Sequence, residues 1–106
     1  MKVSLAQAFE KLGKSAIPFE QVMANGSMTV EIYKPQQVDL QQPHTQDELY
    51  IIISGSGNFY NDGNITNFKP LDVLFVSAGI QHRFENFTDD FATWVIFYGK
   101  QGGESA

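Results

Sequence analysis

Short β-prone runs, separated by turn signals, recur roughly every 8–12 residues along most of this chain, and that spacing suits a sandwich or barrel. Phe19 to Met23 and Met28 to Tyr33 flank Asn25-Gly26, a hairpin pair because both residues tolerate positive φ. Glu48 to Ser54 ends at Gly55-Ser56-Gly57. Asn58 to Asn61 and Ile65 to Phe68 flank Asp62-Gly63-Asn64. Lys69-Pro70-Leu71-Asp72 breaks the sheet before Val73 to Val76, and Ser77 to Gln81 turns the chain into His82 to Phe87. Thr88-Asp89-Asp90 precedes the closing strand, Phe91 to Tyr98. Met28, Val30 and Ile32 alternate with Thr29, Glu31 and Tyr33, which predicts one buried face. The unbroken isoleucines at 51–53 predict burial on both faces, one of them at an intersubunit surface.

The one helical signal lies at the start. Ser4-Leu5-Ala6-Gln7 reads as a capping box, Leu5, Phe9 and Leu12 follow at helical spacing, and Gly13 supplies a stop. A short helix against the outside of the barrel is expected. At 106 residues the chain is one domain, 1–106, with a barrel core at about 18–99 and a tail, 100–106, expected to be flexible.

Composition removes several function classes. There is no cysteine, so disulfides, thiolate metal sites and cysteine nucleophiles are all excluded. A net charge of −5 with no basic run argues against nucleic acid as a partner. No apolar stretch approaches the roughly 18 residues needed to span a membrane, and Met1 to Leu5 opens no signal peptide. A cytoplasmic, non-membrane protein is expected.

The only two histidines sit at the mouths of predicted strands. His44 lies in Gln42-Pro43-His44-Thr45-Gln46-Asp47-Glu48, and His82 follows the turn Ser77-Ala78-Gly79-Ile80-Gln81. Together they suggest one metal site built from two hairpins.

These two segments resemble the paired motifs of the small single-domain cupins, a superfamily of jelly-roll barrels. Gln42 stands where the first motif has a histidine, His44 is its second histidine, Glu48 its glutamate, and Gly55 closes it after six intervening residues. In the second motif, Leu71-Asp72 stands for Gly-Asp, Ser77-Ala78-Gly79 for Pro-x-Gly, His82 for the histidine and Asn86 for the asparagine. The resemblance spans roughly residues 36–99. It implies an all-β jelly-roll barrel with Gln42, His44, Glu48 and His82 holding a divalent metal ion: Fe, Mn, Ni or Zn. It also implies a homodimer paired through its sheets.

Alternate strand residues share a face, so an extended segment can aim both Gln42 and His44 inward. An amide oxygen is a weaker donor than imidazole, so Gln42 either lowers metal affinity or leaves a triad of His44, Glu48 and His82. Tyr50 and Phe84 share parity with Glu48 and His82 and are candidate lining residues, as is Trp94 on the last strand; core packing explains them equally. Gln46 shares that parity too, although a hydrogen bond to a turn is the expected role. Asp47 should face the other way, solvated or capping.

The functional expectation is a metal-dependent enzyme of dioxygenase, isomerase or lyase type acting on a small organic molecule, with Glu48 as ligand and proton acceptor. Two alternatives stand beside it: a non-catalytic module that binds metal or a small ligand, and a structural dimer with a vestigial pocket.

Overall fold

The computed structural model describes residues 1–105. The order of elements is α1 (Leu5–Gly13), β1 (Phe19–Asn25), β2 (Met28–Tyr33), β3 (Asp47–Ser54), β4 (Gly57–Asn61), β5 (Asn64–Phe68), β6 (Val73–Val76), β7 (His82–Glu85) and β8 (Ala92–Tyr98). They form a five-stranded sheet, β1-β2-β8-β3-β6, and a three-stranded sheet, β5-β4-β7, with every pairing antiparallel. The capping box forms as the sequence predicts: the Ser4 hydroxyl accepts from Gln7 N and the Gln7 side chain accepts from Ser4 N.

Between the sheets lies an aromatic core of Tyr50, Phe59, Phe68, Phe84 and Phe91, joined by Tyr33, Ile52, Val76 and Val95. Phe84 is its hub. It meets Tyr50 edge-on at 4.9 Å and packs on Phe91 at 4.6 Å between ring centroids, contacts worth about 0.5–1.5 kcal/mol each beyond simple burial. Gly55 lets the chain turn tightly against this core. A Cβ there would stand 2.6 Å from the Phe91 Cα, and its φ is +83°, so no L side chain is accommodated.

Register decides which face of each strand looks inward. Tyr50 pairs with Leu74 and Val95, and Glu48 pairs with Val76 and Phe97. Those residues face the barrel interior. The alternate set faces outward in two rows: Val30, Ile96, Leu49 and Phe75, then Ile32, Trp94, Ile51 and Val73. Val73 and Phe75 are exposed at the end of this apolar stripe.

On β2 the alternation read from the sequence holds, and the register settles which set faces inward. Thr29, Glu31 and Tyr33 share the interior face with Phe97, Val95 and Thr93, while Met28, Val30 and Ile32 lie outside. Ile32 and Ala8 are fully buried apart from the aromatic core, where α1 lies against β1 and β2. Adding the helix makes an outer strand face bury apolar residues, which hydrophobic alternation alone cannot distinguish from an inner one.

The C-terminal segment, expected to be flexible, is hydrogen-bonded to the barrel. Gly102 N donates to the Thr45 carbonyl and Glu104 N to Asp47 Oδ2. Gly103, at φ +89°, passes so close that a Cβ would come within 2.8 Å of Asp47 Oδ1. Among the described residues, no helix is long and apolar enough to cross a membrane.

Candidate metal centre

Two loops deliver the site. The chain leaving β2 passes through residues 34–46 without regular structure and presents His44 just before β3 begins. The 77–81 turn presents His82 at the start of β7. Backbone bonds tie the loops together: Gly79 N donates to the His44 carbonyl at 2.7 Å, and Ala78 N donates to Asp47 Oδ1 at 2.9 Å. Asp47 therefore lies off the ligand cluster, as its parity predicts. It is buried rather than solvated, and it pins both the 77–81 turn and the C-terminal segment. The Glu104 and Ala78 amides, both donating to it, hold its carboxyl below the usual carboxylate range.

His44, Glu48 and His82 each offer a ligand atom, and these atoms lie within 4.8 Å of one another. Glu48 is 1% exposed and His82 2% exposed. His82 Nδ1 faces the Ile80 carbonyl at 2.9 Å, an acceptor, so Nδ1 carries a hydrogen. In a neutral ring Nε2 is then a bare lone pair, and it points at Glu48 Oε1 at 2.8 Å and at Tyr50 Oη at 3.0 Å.

Tyr50 does not resolve this conflict. Its hydroxyl lies 2.9 Å from Gln41 Oε1, which can only accept, because Gln41 turns its Nε2 to Asp39 Oδ2 at 2.9 Å. The single phenolic hydrogen is thus committed to Gln41. Oε2 of Glu48 and Nε2 of His44 are buried without a hydrogen-bond partner, and Oε1 of Glu48 faces only His82 Nε2.

Buried lone pairs converging from three residues need a cation between them: a proton or a metal ion. The electrostatics point the same way. Burial works against charge on His82, but the bond to Glu48, the Ile80 carbonyl and the charges of Glu48 and Asp39 outweigh it and raise its pKa above 6.5. Burial, reinforced by His82 and opposed by Glu48 and Asp39, lowers His44 below 6.5 and keeps its ring neutral, the form that ligates. Two imidazoles and a carboxylate suit divalent Fe, Mn, Ni or Zn. The residues present therefore fit a divalent ion.

The remaining sequence candidates fall in different places. Gln42 is exposed at the rim of the cavity above His44; its neighbour Gln41 is the one bonded inward. Tyr50 stands behind the ligands with its hydroxyl on His82. Phe84 is buried at the centre of the aromatic core. Trp94 belongs to the outer stripe and does not join the site, because it alternates with the inward Val95 and Phe97. Gln46 makes the expected turn bonds, donating to the carbonyls of Ser27 and Gly99. Leu71, standing where the motif has glycine, adopts φ +73°, a left-handed conformation costing a non-glycine residue about 1–2 kcal/mol.

Asp39 is the residue that the motifs do not announce. Buried at 7% exposure, it accepts from the Tyr33 hydroxyl at 2.6 Å, Gln41 N at 3.0 Å, Gln41 Nε2 at 2.9 Å and Phe84 N at 2.8 Å. It orients Gln41, hence Tyr50, and so keeps the phenolic hydrogen away from His82. Its only sequence signal is a lone acid in the Gln-rich connection between Pro35 and Gln42.

Above the ligands opens a cavity of about 390 Å³, lined by His44, Glu31, Tyr33, Leu40, Val95 and Phe97 among others. A larger, more apolar hollow of about 770 Å³ adjoins it beside α1 and shares Phe19, Tyr33, Leu40 and Gln41 with it. None of the three candidate ligands lines the larger hollow, and His44 is the one that lines the smaller.

With this geometry in hand, comparison with known proteins identifies the barrel. Residues 29–98 match the Cupin domain family. The chain is a cupin. An uncharacterised protein of Streptomyces coelicolor is 30% identical over 79 residues, 73% of this chain and 75% of that protein. Two solved structures share the fold at low identity. A cupin 2 conserved barrel domain protein from Salinispora arenicola aligns with a TM-score of 0.64 and 19% identity over 76% of this chain and 74% of its own. The protein NMB1881 from Neisseria meningitidis aligns with a TM-score of 0.72 and 14% identity, covering 93% of this cupin and all of that chain.

Proposed function

We propose that this cupin holds a divalent metal ion on His44, Glu48 and His82 and uses it to bind and transform a small organic molecule in the cavity above them. The observation that carries this reading is the set of buried, unpartnered lone pairs on Glu48 and His44, converging with His82 Nε2 inside 4.8 Å. Oε1 of Glu48 has only His82 Nε2 facing it and Oε2 has no partner, and a stable fold gains nothing from burying a carboxylate so poorly satisfied.

The chain's own residues prepare the site. The Ile80 carbonyl fixes the His82 tautomer so that Nε2 faces inward, the outer-shell role that aims ligating histidines. The Asp39–Gln41–Tyr50 relay keeps the phenolic hydrogen off Nε2. Phe97, whose ring centroid is 4.7 Å from that of His44, holds the second imidazole on the cavity side. Glu48 is the one carboxylate among the ligands, and where a substrate displaces one of its oxygens it can accept a proton. A bound ion would supply a Lewis acid or, for a redox-active metal, an oxygen-chemistry centre. Dioxygenase, isomerase and lyase reactions all fall within that range. The apolar stripe of the outer sheet face, ending in exposed Val73 and Phe75, supports pairing of two copies.

Elemental analysis of protein purified without chelator or nickel-affinity steps tests the proposal. Near-stoichiometric Fe, Mn, Ni or Zn is expected, lost in His44→Ala and His82→Ala with the far-UV dichroism unchanged. No metal as isolated and none taken up on reconstitution would overturn it.

A further inference from the structure

Glu31 projects from β2 onto the interior face, in register with the core residue Val95, and lines the same cavity as His44. It is half-buried, and among the described residues it has neither a hydrogen bond nor an ion pair. The nearest charges acting on it, Glu48 and Glu20, have its own sign; burial first, then those two carboxylates, raise its pKa above 4.5. Lys34, which lines the adjoining hollow, is committed to the carbonyls of Asp89 and Phe91.

A threonine or valine would fill this strand position without leaving a half-buried charge uncompensated. His44, one of the three clustered side chains, meanwhile offers a buried, unpartnered Nε2 to the same space. Phe19, Leu40, Val95 and Phe97 supply apolar wall to this cavity.

Resting on the metal-site reading above, we propose that Glu31 is a ligand-recognition residue. The cavity takes a short molecule that reaches the metal through a carboxylate or similar anionic end and presents a cationic amine to Glu31 at the other. The carbon chain between lies along the apolar wall. Such a ligand would cancel the charge that the protein itself leaves unmatched. The volume of about 390 Å³ leaves room for such a molecule.

The test uses protein loaded with Co(II), whose visible absorption reports both metal occupancy and changes in coordination. Probes are ω-amino acids of about three to five carbons, including 4-aminobutyrate, each compared with the plain carboxylate of the same length. The best-fitting amino acid should bind roughly fivefold more tightly than its plain counterpart, the effect of one partly exposed charge pair. Glu31→Gln should abolish that preference while leaving Co(II) affinity and plain-carboxylate affinity unchanged, and Glu31→Asp should retain part of it. Co(II) binding with no preference in the native protein, or a preference that survives Glu31→Gln, would overturn the assignment of Glu31 alone. Failure to bind Co(II) at all would overturn the metal-site reading and this proposal with it.

Discussion

Replacing Asp39 by asparagine changes one atom of a buried carboxylate and tests both the architecture and the site. Oδ1 can remain an acceptor for the Tyr33 hydroxyl and Gln41 N, but the new amide then faces two donors, Gln41 Nε2 and Phe84 N. Gln41 can escape by flipping its amide. Phe84 N cannot, because it is backbone at the hub of the core.

An orphaned buried amide costs about 1–3 kcal/mol, and weakening a charge-assisted bond to Tyr33 adds about 1 kcal/mol. Removing a buried charge returns part of that, so a net loss of about 2–3 kcal/mol is expected, or about 8–20 °C in Tm for a domain of this size. The flip has a second consequence. It puts Gln41 Nε2 against the Tyr50 hydroxyl, which must then turn its hydrogen to His82 Nε2 and cover the lone pair that ligates. Urea unfolding of the metal-free protein and Co(II) titration of the same variant read the two effects separately. A stability loss under about 0.5 kcal/mol, within the range of an ordinary surface substitution, or unchanged Co(II) affinity, would refute the relay described here.

Two further outcomes follow from the geometry. In metal-free protein the folded pKa of His82 lies above 6.5, so its stabilising contribution is full below that pH and is lost as pH rises through the folded value; His44, with a lowered folded pKa, costs stability as pH falls below 6.5. The urea midpoint of His44→Gln should therefore drop as pH rises above 6.5, that of His82→Gln should drop on acidification below 6.5 instead, and the same slope in both would refute these assignments. For the outer stripe, light scattering should give a mass near twice 11.9 kDa for the native chain and a shift to the single mass in Phe75→Glu; a native monomer at about 100 μM would remove the stripe as a pairing surface.

The sequence determined most of what is local. Turn residues that need positive φ, such as Gly26 and Gly55, marked the ends of strands, and Ser4 with Gln7 marked the start of the helix, because each acts over a few residues of chain. The candidate ligands His44, Glu48 and His82 were legible for a related reason: the two histidines are the only ones in the chain, and the spacing of the three from Gly55 and Asn86 follows two motifs.

Tertiary structure alone decided which face of each strand looked inward. Period-two alternation has no sign, so Met28-Val30-Ile32 and Thr29-Glu31-Tyr33 were equally good inner faces until β8 fixed the register and α1 covered the outer one. That choice put Glu31 in the cavity and, through the same sheet, sent Trp94 to the outside. It also made Asp39, an acid in an irregular connection, the acceptor for four donors from three parts of the chain. A single sequence records which donors exist; only the folded barrel brings them within 3 Å of one carboxylate.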